Sequence, residues 1–310
     1  MDKKMKDVGM KIDSFREAKA IGILHAPPHC IELLINGNTD KGDALKTARV
    51  AGIMAAKKTD ELIPFCHSLP IYQADLEFKP YATHVEIIAT VSTIASTGVE
   101  MEALTAVSVA GLTLYDMLKP HCQPEELSVN HIKLLNKIGG KSHFNYQLKE
   151  ALKASVIVLS DNVSMGKKND TAGKTVVDIL KKANFHDIKF QVIPDSSEQL
   201  QALIEAQQNL YPLILTVGGT GFGERDLTVE TIKPLLQQEI PGLMEASRSF
   251  GQRRTPYAAL SKGIAGYIDK SLVVTLPGSR QGALESLTAI LPALIHLFDI
   301  QNNIPHQGGY

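Results

Sequence analysis

The sequence predicts two domains of different class: an α+β layer over residues 1–150 and an α/β domain built on a parallel sheet over residues 151–310. Three observations carry this. The chain has 310 residues, more than one hydrophobic core usually serves. Its apolar content of 44% is ample for two packed cores. The element pattern also changes between Gln147 and Lys153, from half-exposed alternating strands and long helices to a strict succession of strand and helix.

In the first half, a turn at Asn36-Gly-Asn38 precedes Lys41 to Lys57, whose small and apolar residues recur at helical spacing. Leu76-Glu-Phe78 and His84 to Ser92 alternate apolar and polar residues, as half-exposed strands do. Glu102 to Leu118 reads as a second long helix. Mixed strands with helices on one face make an α+β layer.

In the second half, Ser155-Val-Ile-Val-Leu-Ser160 is a buried strand by its β-branched run, and Thr171 to Ala183 is an amphipathic helix. Ile188 to Ile193 is a strand, Ser196 to Asn209 a helix, and Leu213 to Val217 a third strand. Leu272 to Ser279 adds a late strand and turn, followed by a helix from Gly282 to about Phe298. The order β-α-β-α-β implies a three-layer, Rossmann-like arrangement, a parallel sheet with helices on both faces. Ligands of such sheets sit beyond the carboxyl ends of the strands, where the loops at Ser160-Asp161, Pro194-Asp195, Gly218 and Pro277-Gly278 should gather.

One of these loops has a chemistry of its own. In Leu213-Ile-Leu-Thr-Val-Gly-Gly-Thr-Gly-Phe-Gly-Glu-Arg-Asp226 an apolar strand breaks into glycines and then into charge. Gly218, Gly219 and Gly221 can take backbone angles closed to other residues, so successive N–H groups can point into one concavity and hold phosphate oxygens. Asp226 then supplies a carboxylate for a divalent ion. Commoner nucleotide motifs are excluded: Leu135 and Lys168 stand where a phosphate-binding loop would need glycine, before Gly140-Lys-Ser142 and Gly173-Lys-Thr175. The spacing Gly219-Thr-Gly221-Phe-Gly223 is not a dinucleotide fingerprint either.

Charge is balanced, with 16 basic and 17 acidic residues up to Leu148 and 16 of each beyond it, so no nucleic-acid footprint shows. The N-terminus lacks a signal-type apolar core, and no later run reads as long and apolar enough to cross a bilayer, so a cytoplasmic protein without membrane partners is expected. Three cysteines, all in the first half, make no disulfide framework. They form adjacent pairs, His29-Cys30, Cys66-His67 and His121-Cys122, but neighbouring residues rarely face one ion and no Cys-x-x-Cys spacing exists, so a zinc site is not expected.

Asp116 and Lys119, three apart, share a helix face and either form an exposed ion pair or work as base and acid on one ligand. Glu100 and Glu102 would point apart on a continuous helix, which places the helix start between them. Glu102 and Asp116 are separated by about 21 Å along an unbroken helix at 1.5 Å per residue. One small ligand cannot touch both within a chain, so if both act, the site is shared between subunits. His67 lies at an irregular junction between Leu62-Ile-Pro-Phe-Cys66 and Ser68-Leu-Pro70, a position that suits a site residue.

With these residues in view, the stretch from about Asp7 to Phe144 resembles cyclic pyranopterin monophosphate synthase. The match runs through Arg16-Glu-Ala18, Lys41-Gly-Asp43, Thr47 to Ile53, Leu62 to His67, Gly98-Val-Glu-Met-Glu-Ala-Leu-Thr-Ala106, Tyr115-Asp-Met-Leu-Lys119 and Gly139-Gly-Lys-Ser142. Ser68 departs from the proline usual after the histidine. The resemblance implies a ferredoxin-like layer, a hexamer built from dimers, active sites at the dimer interface and no cofactor. It further implies rearrangement of 3′,8-cyclo-7,8-dihydroguanosine triphosphate to cyclic pyranopterin monophosphate with loss of pyrophosphate. Lys41, Asp116 and Lys119 would carry the chemistry, with Lys119 in a lysine shuttle of lowered pKa. Arg16, His67, Glu100, Met101, Glu102 and Lys141 would bind substrate.

From about Lys153 to Tyr310 the chain resembles the molybdopterin adenylyltransferase family of molybdenum-cofactor biosynthesis, through Ile193-Pro-Asp195, Thr216 to Gly221 with Arg225-Asp226, Pro241 to Glu245 with Arg248, and Leu276-Pro-Gly-Ser279. The resemblance implies binding of molybdopterin and magnesium-ATP and transfer of AMP to the pterin's terminal phosphate. Asp195 and Asp226 would organise magnesium, and Thr216, Gly218, Gly219, Thr220, Gly221 and Ser279 would bind nucleotide and pterin. Arg280 replaces the usual proline, adding a phosphate contact or sitting in solvent. A second reading makes this half a pterin-binding or assembly module without catalysis. A trimer of it would suit a hexamer of the first half.

Overall fold

The computed structural model describes residues 4–140 and 144–302. The chain divides into two compact units, Met1–Phe144 and Asn145–Tyr310, against an expected boundary at residue 150.

In the first unit β1 (Ser14–His25), α1 (Pro28–Asn36), α2 (Ala44–Lys57) and the short α3 (Thr59–Leu62) are followed by β2 (Gln73–Pro80), β3 (His84–Ala95), α4 (Glu100–Leu118) and β4 (Ser128–Ile138). The four strands form one antiparallel sheet in the order β2-β3-β1-β4. Sequence reasoning finds β2, β3, α2 and α4 but not β1 or β4. In β1 every second residue is buried, yet those residues are Arg16, Ala18, Ala20, Gly22 and Leu24, too small or too polar to read as a core face. β4 has no fully buried residue and carries an irregularity, with His131 at φ 52°, that breaks its period.

The helices α2 and α4 pack on the sheet and each other through small residues, Ala48, Gly52 and Ala56 against Ala103, Ala106 and Ala110. A Cβ on Gly52 would stand 2.5 Å from a Leu76 methyl and 3.0 Å from the Ala106 carbonyl, so glycine sets how closely these elements approach. Asp43 starts α2 by accepting a hydrogen bond from the Lys46 N–H. α4 begins at Glu100, before both acidic residues rather than between them. Carboxylates in the first turn oppose the positive end of the helix dipole, so both fit there.

The second unit runs β5 (Leu152–Leu159), α5 (Asp161–Ser164), α6 (Ala172–Lys182), β6 (Phe185–Ile193), α7 (Ser197–Gln207), β7 (Leu213–Val217), α8 (Thr228–Ile232), β8 (Gln238–Glu239), α9 (Pro241–Gln252), β9 (Ala265–Ile268), β10 (Ser271–Leu276) and α10 (Arg280–Gln301). The sheet order is β6-β5-β7-β10-β9-β8. Alternate residues of β5, β7 and β10 feed two cores: Val156, Val158, Leu215 and Val274 pack with α6, α9 and α10, while Ile157, Ile214 and Val273 pack with α7 and α8. Three layers result.

Two expectations need correcting. The sheet is mixed, because β8 and β9 run antiparallel. Only Asp269 and Lys270 join β9 to β10, with Asp269 at φ 48°, and a two-residue connection makes a hairpin, never a parallel crossover. And two helices, Glu100–His121 and Arg280–Gln301, are long and apolar enough by length and composition to cross a bilayer. Each is the central helix of its own unit, with 56% of the apolar window buried, which accounts for the composition without a membrane.

Candidate active sites

At the C-terminal end of α4, Asp116 holds two ammonium groups. Its Oδ2 lies 2.6 Å from Lys41 Nζ and its Oδ1 lies 2.8 Å from Lys119 Nζ; Lys41 also donates to the Asp116 carbonyl at 3.2 Å. The turn after α1 delivers Lys41 and the end of α4 delivers Asp116 and Lys119, so residues 75 positions apart meet. Hydrogen bonds first from Lys119 and then from Lys41 hold the Asp116 carboxyl down at about 2. The same bond pushes Lys119 up, opposite to what a lysine shuttle requires. The expectation that crowded cations would lower the Lys119 pKa fails because the carboxylate touches the ammonium directly.

The opposite end of α4 holds the other group. A cavity of about 320 Å³ is lined by Lys11, Arg16, Glu17, Thr97, Gly98, Glu100, Lys137, Ile138 and Gly139. Arg16 is buried, donating from Nε to the Ala95 carbonyl at 3.2 Å, and Glu100 meets Lys137 at 3.0 Å. Gly139 and Gly140 have φ of 97° and 72°; a Cβ on Gly140 would collide with the Arg16 guanidinium and one on Gly139 with the Phe15 carbonyl, so Gly140 makes room for that cation. Met101 is exposed, whereas Glu102 turns inward and is only 4% exposed. Desolvation, then its own backbone bond in the other direction, then the charges of Glu100 and Asp60, bring its carboxyl to about 7. His67 Nε2 pairs with the Lys6 carbonyl at 2.7 Å. Lys141 lies outside the described residues.

Of the nine residues expected at the site, the eight that are described divide within the chain, as the length of α4 requires. Asp116, Lys119 and Lys41 are together; Arg16 and Glu100 are together; an unbroken α4 separates the two groups. Sequence reasoning missed Lys137, Lys11 and Glu17, which sit on the two strands it did not recognise or on the segment leading into them.

Among the described residues no three histidine, cysteine, aspartate or glutamate side chains are placed to hold a metal. The pairs His29-Cys30 and His121-Cys122 do meet: His29 Nε2 and Cys30 Sγ both reach the His121 carbonyl, at 3.0 and 3.8 Å, and the Cys30 thiol hydrogen-bonds with that of Cys122. Burial first, then the neighbouring Cys122 thiol, pushes the Cys30 thiol up to about 12.

In the second unit the four loops expected to gather do so. A cavity of about 200 Å³ is lined by Ser160, Asp195, Gly218, Gly219, Asp226 and Gly278 together with Val163, Lys168 to Thr171 and Arg225. Gly218 and Gly219 have φ of 111° and 64°; a Cβ on the first would stand 2.5 Å from the Leu159 carbonyl and on the second 2.3 Å from Thr228 Oγ1. The Thr228 hydroxyl donates to the Gly218 carbonyl at 2.8 Å, and the Asp226 carboxylate accepts from the Gly223 N–H at 2.8 Å. Burial first, then the charges of Asp161 and Asp226, raise the Asp195 pKa against the pull of the Asp161 N–H and Arg225.

Thr216 is fully buried in β7 and does not reach this cavity, because it points to the α7–α8 side of the sheet. Thr220 is also buried, Gly221 packs against Asp226, and Ser279 Oγ accepts from the Gly282 N–H to start α10; none of the three lines the cavity. Residues 168–171 were missed, although a signal existed in Asp170 ahead of Gly173-Lys-Thr175. Asp170 accepts from the N–H groups of Gly173 and Lys174, both at 2.9 Å, and so opens α6 at the cavity wall. Asp195 and Asp226, two oxygen donors crowded by like charge in one cleft, fit a divalent cation accompanying a phosphate ester.

Comparison with known proteins agrees with this division. Residues 5–140 match the MoaC family and residues 155–296 a family described as probable molybdopterin binding domain. A protein of Chlorobaculum tepidum named molybdenum cofactor biosynthesis bifunctional protein is 39% identical over 98% of this chain and 96% of its own length. A cyclic pyranopterin monophosphate synthase of Trichodesmium erythraeum is 51% identical over 45% of this chain and 84% of its own. Among solved structures, the molybdopterin biosynthesis enzyme MoaB of a Thermus species is 35% identical, covering 50% of this chain and 99% of its own, with a TM-score of 0.47.

Proposed function

Since the chain belongs to the bifunctional molybdenum cofactor biosynthesis proteins, we propose that its first domain converts 3′,8-cyclo-7,8-dihydroguanosine triphosphate to cyclic pyranopterin monophosphate and pyrophosphate. The second domain, in this proposal, transfers AMP from magnesium-ATP to the terminal phosphate of molybdopterin, breaking the bond between the α and β phosphates and releasing pyrophosphate. The order β2-β3-β1-β4, with helices between β1 and β2 and between β3 and β4, supports the ferredoxin-like reading of the first domain.

The observation that carries the first reaction is the trio Lys41, Asp116 and Lys119, bonded at 2.6 and 2.8 Å. Its two fixed ammonium groups match a triphosphate, and pre-arranged charge of this kind lowers the barrier wherever negative charge must be held or expelled as pyrophosphate. In the free protomer Asp116 is ionised and Lys119 firmly protonated. Substrate phosphates competing for both lysines loosen their hold on Asp116 and release the pair for proton transfer while the rings open and reclose. Arg16, Glu100 and Glu102 bind the pterin-forming part. Because α4 keeps them far from the trio, a neighbouring copy supplies one group to the other, within a hexamer of dimers.

In the second domain the Gly218 N–H is taken by the Leu276 carbonyl at 3.0 Å, so the Gly219 N–H receives a phosphate oxygen, and Lys168 and Arg225 add positive charge at the rim. Asp195 and Asp226 would hold the magnesium that enters with ATP. Bound there, the ion would supply charge neutralisation to the polyphosphate.

Incubation with the cyclised guanosine triphosphate, following pyrophosphate and the pterin product, tests the first assignment; no pyrophosphate release defeats it. Asp226→Ala should abolish AMP transfer to molybdopterin and leave pyrophosphate release from the cyclised nucleotide intact. A wild-type protein that never adenylylates molybdopterin defeats the second assignment and favours a binding module.

A further inference from the structure

The carboxylate beside Asp195 is a charged group of the second cavity's loops that the proposed reaction leaves without a task. Asp161, the first residue of α5, exchanges hydrogen bonds with Asp195 in both directions. The Asp161 N–H donates to Asp195 Oδ2 at 3.2 Å, and the Asp195 N–H donates to Asp161 Oδ1 at 3.1 Å. The second oxygen of Asp161 faces Arg225, with Oδ2 and Nη1 3.4 Å apart. A single side chain thus ties the loop after β5 to the loops after β6 and β7. Asp161 is mostly shielded, its side chain 29% exposed, while Arg225 is 81% exposed, so the amide exchange is the firmer of the two contacts.

We infer that Asp161 is a positioning residue: it fixes the Asp195 carboxylate for the divalent cation and holds Arg225 at the cavity rim. The physical reason lies in the count of bonds. A lone aspartate on a loop can rotate about two side-chain torsions, and each orientation that turns its oxygens from the ion lowers the fraction of protein ready to bind. The Asp161 backbone N–H engages one Asp195 oxygen, and the Asp161 side chain keeps that N–H in register by accepting from the Asp195 N–H, so the side chain acts on the carboxylate through the loop. The other oxygen, Oδ1, is left for the cation. Groups that orient a metal ligand in this way typically change affinity 10- to 100-fold when removed. The inference rests on the reading of Asp195 as a magnesium ligand.

The test uses the full-length chain with manganese in place of magnesium, bound metal being counted by electron paramagnetic resonance in the presence of ATP. Asp161→Ala should weaken manganese binding about tenfold. Asp161→Asn, whose side-chain carbonyl can still accept from the Asp195 N–H but which has lost the charge facing Arg225, should recover most of that affinity. A residue that merely supports the fold would not distinguish these variants at matched thermal midpoints. Pyrophosphate release by the first domain reports that each variant is intact. Wild-type affinity in Asp161→Ala overturns the inference, as does an Asn variant no better than Ala. Should the wild type itself bind no manganese with ATP, the failure lies with Asp195 as a ligand, and the two outcomes are distinct.

Discussion

Glu102→Gln should make the first domain more stable at neutral and alkaline pH while impairing pterin formation. Glu102 is 4% exposed in the first turn of α4, and its carboxyl is raised from 4.5 to about 7, mainly because burial opposes its charge. A pKa raised on folding means that the neutral form is favoured in the native state. The group therefore does no harm below pH 4.5, where it is protonated in both states, and stability falls as pH rises through 7. A shift of that size converts at 1.36 kcal/mol per unit to a ceiling of about 3 kcal/mol. Exposed Met101 beside it shows that water reaches this end of the helix, and screening brings the expectation to about 1.5 kcal/mol. With a urea dependence of about 2 kcal/mol per molar, the first domain's midpoint in the Gln variant should exceed that of the wild type by roughly 0.7 M at pH 8 and coincide with it near pH 4.5. The chain contains no tryptophan. Amide exchange in α4 at increasing urea isolates the relevant transition. A difference between the two proteins that stays constant from pH 4.5 to 8 would refute the argument, and a Gln variant less stable at pH 8 would reveal a hidden partner for the carboxylate.

Three further outcomes follow from the geometry. Asp116→Asn removes the charge that fixes Lys41 and Lys119 and should reduce pyrophosphate release by about 100-fold, while leaving the thermal midpoint within about 2 °C because all three groups are exposed. Gly218→Ala forces a Cβ to 2.5 Å from the Leu159 carbonyl at φ 111° and should destabilise the second domain by about 2 kcal/mol, read as a lowered urea midpoint of that domain, with AMP transfer lost. Cys30, buried and pushed up to about 12, should resist iodoacetamide at pH 8 for as long as the fold persists, which mass spectrometry of the alkylated chain will show.

What the sequence made legible depends on how the elements are buried. β7, Leu213–Val217, is buried on both faces and reads as a strand from end to end. So do the strand-helix alternation and the four loops around the second cavity, because a three-layer domain writes its layers as continuous apolar runs. The first domain is harder. β1 buries an arginine, three small residues and one leucine, and β4 buries none fully, so half of that sheet carries no alternating apolar signal. The mixed sheet escaped because the turn at Asp269-Lys270 lacks the glycine that normally marks a two-residue hairpin. At the sites, residue types were legible and partners were not: nothing in the chain says that Asp116 clasps Lys41 from 75 positions away, and that contact reverses the expected direction for Lys119.

Under the proposed reactions, the two halves would meet one chemical demand, the control of polyphosphate charge, with opposite means. In the first, cations come from side chains, and a carboxylate keeps two of them in place before substrate arrives. That array is complete without an added ion, and its like charges would repel a divalent metal. In the second, the cavity contributes a backbone N–H at a glycine turn and two carboxylates whose mutual repulsion falls only when a cation joins them. On the proposed assignment, the protein's own charge would decide which half depends on metal. Glycine recurs at both places for a steric reason: a Cβ on Gly140 would meet the Arg16 guanidinium, and on Gly139, Gly218 and Gly219 it would meet the Phe15 carbonyl, the Leu159 carbonyl and the Thr228 hydroxyl.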